Sequence, residues 1–107
     1  MHTAAHHLKI INQFFEIEKK LAHLPGAEST QRNLARIRDH FGEMGYLIHN
    51  PLGESYPDTR TDCEASIAGA STEDLLVADV IKPIVHVRQD GALQILQKGV
   101  VITKSRS

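Results

Sequence analysis

The 107-residue chain has a single cysteine, Cys63, and no intramolecular disulfide can form from one thiol. A lone thiol fits a reducing compartment. Its longest apolar runs are only a few residues, against the roughly 20 that a membrane-spanning helix needs, which sets bilayer insertion aside. The first residues, Met1-His2-Thr3-Ala4-Ala5-His6-His7, lack the basic start and apolar core of a secretory signal. These absences together lead us to expect a cytoplasmic protein. Charge of one sign is missing too: 12 Lys and Arg stand against 13 Asp and Glu, for a formal net charge of −1. Binders of nucleic acid or anionic membranes normally carry a clear basic excess, so neither is an expected partner. There is no repeat, no low-complexity segment and no phosphate-cradling glycine motif.

What is present falls into two textures. In the first third, Ile10, Phe14, Ile17, Leu21 and Leu24 recur at offsets of 4, 3, 4 and 3, with Leu8, Ile11 and Phe15 widening the stripe. Pro25-Gly26 stops this helix. Ser29 or Thr30 is placed to cap a second one, in which Leu34, Ile37, Phe41 and Met44 repeat at helical spacing before Gly45 ends it. A short loop between two amphipathic helices predicts an antiparallel αα-hairpin.

From Tyr46 onward, short β-branched or alternating runs are separated by Gly, Pro, Asp and Asn, which is strand and turn chemistry. Strands are expected at Leu47-Ile48-His49 and near 63–68, 75–81, 84–88, 93–96 and 100–103. Gln89-Asp90-Gly91-Ala92 has the composition of a tight hairpin turn, because Asp-Gly tolerates positive φ. Lys104 to Ser107 reads as a frayed polar tail. The expected fold is therefore α+β: a helical hairpin over 1–46, followed by a small, mainly β domain over 47–107.

A two-helix hairpin buries only part of each apolar stripe against itself. Burying a large apolar side chain is worth about 1.5–3 kcal/mol, so leaving several in water would remove most of a small domain's roughly 5–15 kcal/mol. Pairing of two hairpins into a four-helix bundle covers them, with Leu8, Ile11, Phe15, Leu34, Ile37, Phe41 and Met44 at the dimer contact. Packing of the helices on the β segment of the same chain is the alternative.

From Gly45 onward five blocks follow in order: Gly45-Tyr46, the Pro51-Leu52-Gly53-Glu54-Ser55-Tyr56 turn, the Cys63-Glu64-Ala65-Ser66-Ile67 strand, Val80-Ile81-Lys82-Pro83-Ile84-Val85, and Ile95 through Ile102. In this order they resemble the GrpE family of chaperone nucleotide-exchange factors. Ile17-Glu18-Lys19-Lys20-Leu21 is a weaker echo in the first helix. Cys63 stands where the family has histidine, and Gln97-Lys98 where it has Arg-Pro. The chain is similar to the C-terminal half of such a protein and is expected to be a divergent member without the family's long N-terminal helix.

That resemblance implies a non-enzymatic homodimer without cofactor. Its β domain would bind the ATPase domain of a DnaK-type chaperone and promote ADP release. It implies partner contacts in the β segment, for which Lys82, Arg88, Gln94, Gln97 and Lys98 supply polar groups and Pro83, Ile84 and Val100 an apolar centre. A dimeric adaptor without exchange activity is the alternative. Other chemistries read more weakly. His2, His6 and His7 could offer imidazoles to a metal at helical spacing. Cys63 with His49 or His86 could form a thiol-imidazole pair. Asp58, Asp62 and Glu64 lack the glycine and ligand spacing of a calcium loop. Solvated histidines, a small core cysteine and side-chain-bonded turns are the plainer readings, and no metal or catalytic residue is expected.

Overall fold

A computed structural model describes residues 3–106. The chain forms two compact units, Met1–Tyr46 and Leu47–Ser107, in an α+β architecture with two helices and six strands among the described residues. No helix among the described residues is long and apolar enough to cross a membrane.

The first unit contains α1 (Thr3–Leu21) and α2 (Glu28–Glu43). The buried side of α1 is Ile11, Phe14 and Phe15, whereas Ile10, Ile17 and Leu24 are about half exposed. The core-facing stripe is therefore rotated by one residue from the one that spacing alone suggests. Two adjacent phenylalanines carry more apolar area than the isoleucines flanking them, and area decides which side is buried. Helix α1 ends four residues before Pro25, in a tightened turn with Leu24 N–H donating to Leu21 O and Ala27 N–H to Leu24 O.

Ala27, not Ser29 or Thr30, occupies the N-cap of α2, and no side chain caps that end. Those hydroxyl residues lie inside the first turn instead. The Gln31 amide closes the corner, donating at 2.5 Å to the Leu21 carbonyl, which also accepts from Leu24 N–H. Further along, Arg38 pairs with Glu18 at 2.6 Å and lies 5.5 Å from the centre of the Phe14 ring. Phe14 meets Phe41 edge to face at 5.6 Å. At the end of the unit, His7 Nδ1 shares a 2.7 Å hydrogen bond with the Tyr46 hydroxyl. Gly45, at φ +97°, ends the helical segment as its composition predicts.

The strands are β1 (Tyr46–His49), β2 (Cys63–Ile67), β3 (Leu75–Lys82), β4 (Ile84–Gln89), β5 (Ala92–Gln97) and β6 (Gly99–Ser105). They form two three-stranded sheets, ordered β1-β4-β5 and β2-β6-β3. In the second sheet β6 is central, parallel to β2 and antiparallel to β3. The expected strands all occur, but Lys104 and Ser105 belong to β6 and pair with Leu76 and Leu75. The anticipated frayed tail is thus a strand end, secured by Arg106 N–H donating to Asp74 O; Ser107 lies outside the described residues. Main-chain pairing holds this polar stretch, and it leaves no hydrophobic pattern to read.

Single residues carry the chain from one sheet to the other: Pro83 between β3 and β4, and Lys98 between β5 and β6. Proline suits such a crossing, since it donates to no ladder. Val77, Val80, Ile84, Val85, Val101 and Thr103 are fully buried there, with Cys63 close behind. Thr103 keeps its hydroxyl satisfied by donating to Ser66 O at 3.3 Å. Gly99 lies at the tightest point: a Cβ there would stand 2.9 Å from Ile84 Cγ1 and 3.0 Å from Cys63 Sγ. Gly99→Ala is therefore expected to lower stability by roughly 1–3 kcal/mol, the usual cost of overpacking, read as a lower urea midpoint at unchanged m-value.

Candidate partner-binding surface

The β4–β5 hairpin turns through Asp90 and Gly91, both at positive φ (52° and 78°), the conformation a two-residue hairpin needs. Its register sets Gln89 opposite Ala92, Arg88 opposite Leu93, Val87 opposite Gln94 and His86 opposite Ile95. Directly opposed side chains share a face, so His86, Arg88, Leu93 and Ile95 lie together. Leu93 and Ile95 are 46% and 44% exposed, and Arg88 is exposed beside them. His86 Nδ1 is buried with no hydrogen-bond partner among the described residues.

Of the residues assigned to partner contact from the sequence, Lys82, Arg88, Gln94 and Lys98 are exposed. Pro83 and Ile84 are not: both are fully buried and cannot form the apolar centre of a contact. They sit at the crossing between sheets, where core packing consumes them. Val100 is half-buried. Gln97 is directed inward, its amide donating to Pro83 O at 2.8 Å. The exposed apolar residues beside the cations are Leu93 and Ile95, which strand alternation alone could not assign to an outer face. Of the residues assigned to dimer contact from the sequence, Ile11, Phe15, Leu34 and Phe41 are already buried within one chain; Leu8 is half-buried, and Ile37 and Met44 are exposed.

Beside the hairpin's base, the loop between β1 and β2 is tied by Arg60. Its guanidinium donates to Asp62 Oδ1 at 2.6 Å, Glu54 Oε1 at 2.9 Å and Ser55 O at 3.0 Å. Glu54 Oε2 also accepts from His49 Nε2–H at 2.6 Å, and the Tyr56 hydroxyl donates to Cys63 O. The Arg60 hydrogen bond holds the Asp62 carboxyl below its ordinary range, and the Asp62 hydrogen bond raises Arg60 further. Glu54 belongs to the Pro51-Leu52-Gly53-Glu54 turn, in which Gly53 has φ +83° and Asn50 Oδ1 accepts the Leu52 N–H.

This knot accounts for the other reactive groups. Burial, then the neighbouring Asp62 charge, pushes the Cys63 thiol up to about 11, so it is protonated at neutral pH. His49 is engaged with Glu54. Among the described residues no three His, Cys, Asp or Glu side chains converge as metal ligands, and His7 is occupied by Tyr46; His2 lies outside them. An open cleft of about 480 Å³ runs between Tyr56, Pro57 and Asp58 on one side and Thr72, Glu73 and Asp74 on the other. Arg106 engages Asp74 Oδ1 at 3.1 Å and Ser55 Oγ at 2.6 Å. No sequence signal marks this cleft, because its two walls come from separate irregular loops.

No protein-family model, curated protein or solved structure matches the chain.

Two outcomes are expected from the knot. Asp62 is depressed in the folded chain, so its stabilisation is complete above the unfolded pKa of about 3.9 and is lost as pH falls through the folded value. Arg60→Leu should cost roughly 1–3 kcal/mol at pH 7 by urea unfolding, and the gap from wild type should narrow below about pH 4. Cys63 should resist iodoacetamide at pH 7.5 in the native chain and react fully in urea, as followed by mass spectrometry.

Proposed function

We propose that the protein is a GrpE-like cochaperone: a non-catalytic module that binds the ATPase domain of a DnaK-type chaperone and promotes ADP release. The observation that carries the binding role is the β4–β5 hairpin. There Arg88 and Gln94 are exposed beside half-exposed Leu93 and Ile95, with Lys82 and Lys98 exposed at its base. Apolar area ringed by charge is the composition of a protein contact. The chaperone assignment is supported by the serial resemblance, whose blocks coincide with defined features of the chain. Gly45 ends the helical part, Gly53 makes a positive-φ turn, Cys63-Glu64-Ala65 begins β2, and Gly99 opens β6.

Exchange needs no reactive group. A module that binds an open cleft better than a closed one weakens nucleotide affinity by the ratio of the two affinities. A tenfold loosening requires about 1.4 kcal/mol of differential binding.

Dimerisation through an antiparallel helical hairpin is part of this reading. The order of contacts supports the hairpin: Leu21 with Gln31, Glu18 with Arg38, Phe14 with Phe41. With Ile11, Phe15, Leu34 and Phe41 already covered, the pairing surface is reassigned to Ile10 and Ile17 on α1 and to Ile37 on α2 with Met44 at its C-cap. Each pair is seven residues apart, the spacing of a helix seam. Ile17→Lys with Ile37→Lys should convert a dimer to a monomer by light scattering, with helicity retained. A chain already monomeric at micromolar concentration would remove the dimer.

A dimeric adaptor without exchange activity is the second reading, favoured by the smaller contact set left once Pro83, Ile84 and Gln97 turn inward. Stopped-flow release of labelled ADP from a DnaK-type protein separates the two. Acceleration that Lys82→Glu with Lys98→Glu removes, at unchanged stability, is the expected result. Binding without acceleration selects the adaptor, and no binding rejects the chaperone as partner.

A further inference from the structure

The two sheets have four edges, and three are protected in ways natural sheets use. β1 is only four residues long. β2 carries the charge of Glu64. β3 is bulged at two points, and the 53–56 loop covers it through Gly53 N–H to Val77 O, Val77 N–H to Glu54 O and Tyr56 N–H to Leu75 O. Short length, charge, bulges and covering loops all discourage a further strand. β5 has none of these from Ala92 to Ile95: Ala92-Leu93-Gln94-Ile95-Leu96-Gln97 contains no charge and no proline, and its first four residues are exposed. Its register shift falls beyond Ile95, at the base of the hairpin.

The register defines what this edge offers. In a two-residue hairpin the pair flanking the turn, Gln89 and Ala92, is hydrogen-bonded, and bonded and non-bonded pairs then alternate. Arg88/Leu93 and His86/Ile95 are therefore non-bonded pairs. The main-chain N–H and C=O of Leu93 and Ile95 point away from β4, and no hydrogen bond reaches them among the described residues. The same two residues carry the exposed apolar side chains.

The surroundings select the occupant. Arg88 lies beside Leu93, while Lys98 directly follows β5 and Lys82 lies at the same base, its carbonyl 3.5 Å from the Cβ position of Gly99. None of these three cations has an ion pair among the described residues, and the hairpin's only carboxylate is Asp90 in the turn. Leu93 to Lys98 spans five residues, about 17 Å of extended strand. A second copy paired antiparallel would set the lysine end of one edge beside the Arg88 end of the other, cation against cation.

We propose that the free edge of β5 takes an extended segment of the partner protein as an added strand. The segment pairs its backbone with Leu93 and Ile95, lays alternate apolar side chains on theirs, and brings carboxylates about five residues apart to Arg88 and to Lys82 and Lys98. Strand addition of this kind draws affinity from the backbone and selectivity from the side chains. It rests on the protein-binding role proposed above and deepens it, but is independent of the partner being a chaperone.

The probe is acetyl-Glu-Val-Thr-Val-Thr-Glu-amide, titrated into the ¹⁵N-labelled full chain. Saturable binding is expected, with amide exchange slowed at least about tenfold at Leu93 and Ile95. A peptide with lysine at both ends should bind at least about tenfold more weakly. A peptide N-methylated on its pairing side should not bind. Leu93→Lys, a natural edge-blunting substitution, should abolish binding while leaving the unfolding midpoint near wild type. An absence of protection at Leu93 and Ile95 at millimolar peptide overturns the proposal. So does binding that Leu93→Lys leaves intact, or a wild-type oligomer that Leu93→Lys dissociates, which would put a second copy on the edge. Peptide protection without chaperone binding leaves the edge standing and removes the chaperone; ADP release untouched by Leu93→Lys, with no peptide protection, does the reverse.

Discussion

The closeness of Gly99 to Ile84 and Cys63 sets the terms for the β unit. Two one-residue links, Pro83 and Lys98, carry the chain between sheets, and both bring backbone into the same small volume. There is no space for a side chain at Gly99, whose N–H donates to Asp62 O. Asp62 is in turn held by Arg60, which also gathers Glu54 and Ser55. The start of the central strand, the crossing and the loop knot thus share a short run of contacts. The hairpin that leaves this base has its root in close-packed structure, and its outer residues are free to serve something other than the core.

Legibility in the sequence followed the range of the interaction responsible. All six strands were legible because β-branched runs and punctuating Gly, Pro and Asp act within a few residues. The Asp90-Gly91 turn was legible for the same reason. Helix faces were harder: periodicity gave the helices but placed the buried stripe of α1 one residue off, because Phe14 and Phe15 outweigh Ile10 and Ile17 in area. The cap at Ser29 or Thr30 failed because Gln31 reaches across to Leu21 and supplies the corner with a different hydrogen bond.

The candidate surface was only half legible. Exposed cations at Lys82, Arg88 and Lys98 could be read from charge, but which apolar residues accompany them depends on which face each sheet buries. Pro83 and Ile84 look like surface residues beside Lys82 until the sheet crossing is known. The Arg60 knot was invisible for a related reason: its partners sit in irregular chain, where spacing carries no period. Functional geometry here is built from relationships between elements, and a linear pattern records only relationships within them.

The parallel pairing of β2 with β6 bears on how the chain acquires its shape. Cys63 is aligned with Gly99, 99 − 63 = 36 positions later, and among the described residues β2 has no other strand partner. Strands β3, β4 and β5 are all made in between. During synthesis β2 therefore waits without a ladder until β6 has been made, while the local β4–β5 hairpin can already form. Pairings of large sequence separation close slowly because the intervening loop entropy comes first. The second sheet is accordingly a late step in folding, and the interval before β6 arrives is when the β2 segment is most open to misassembly.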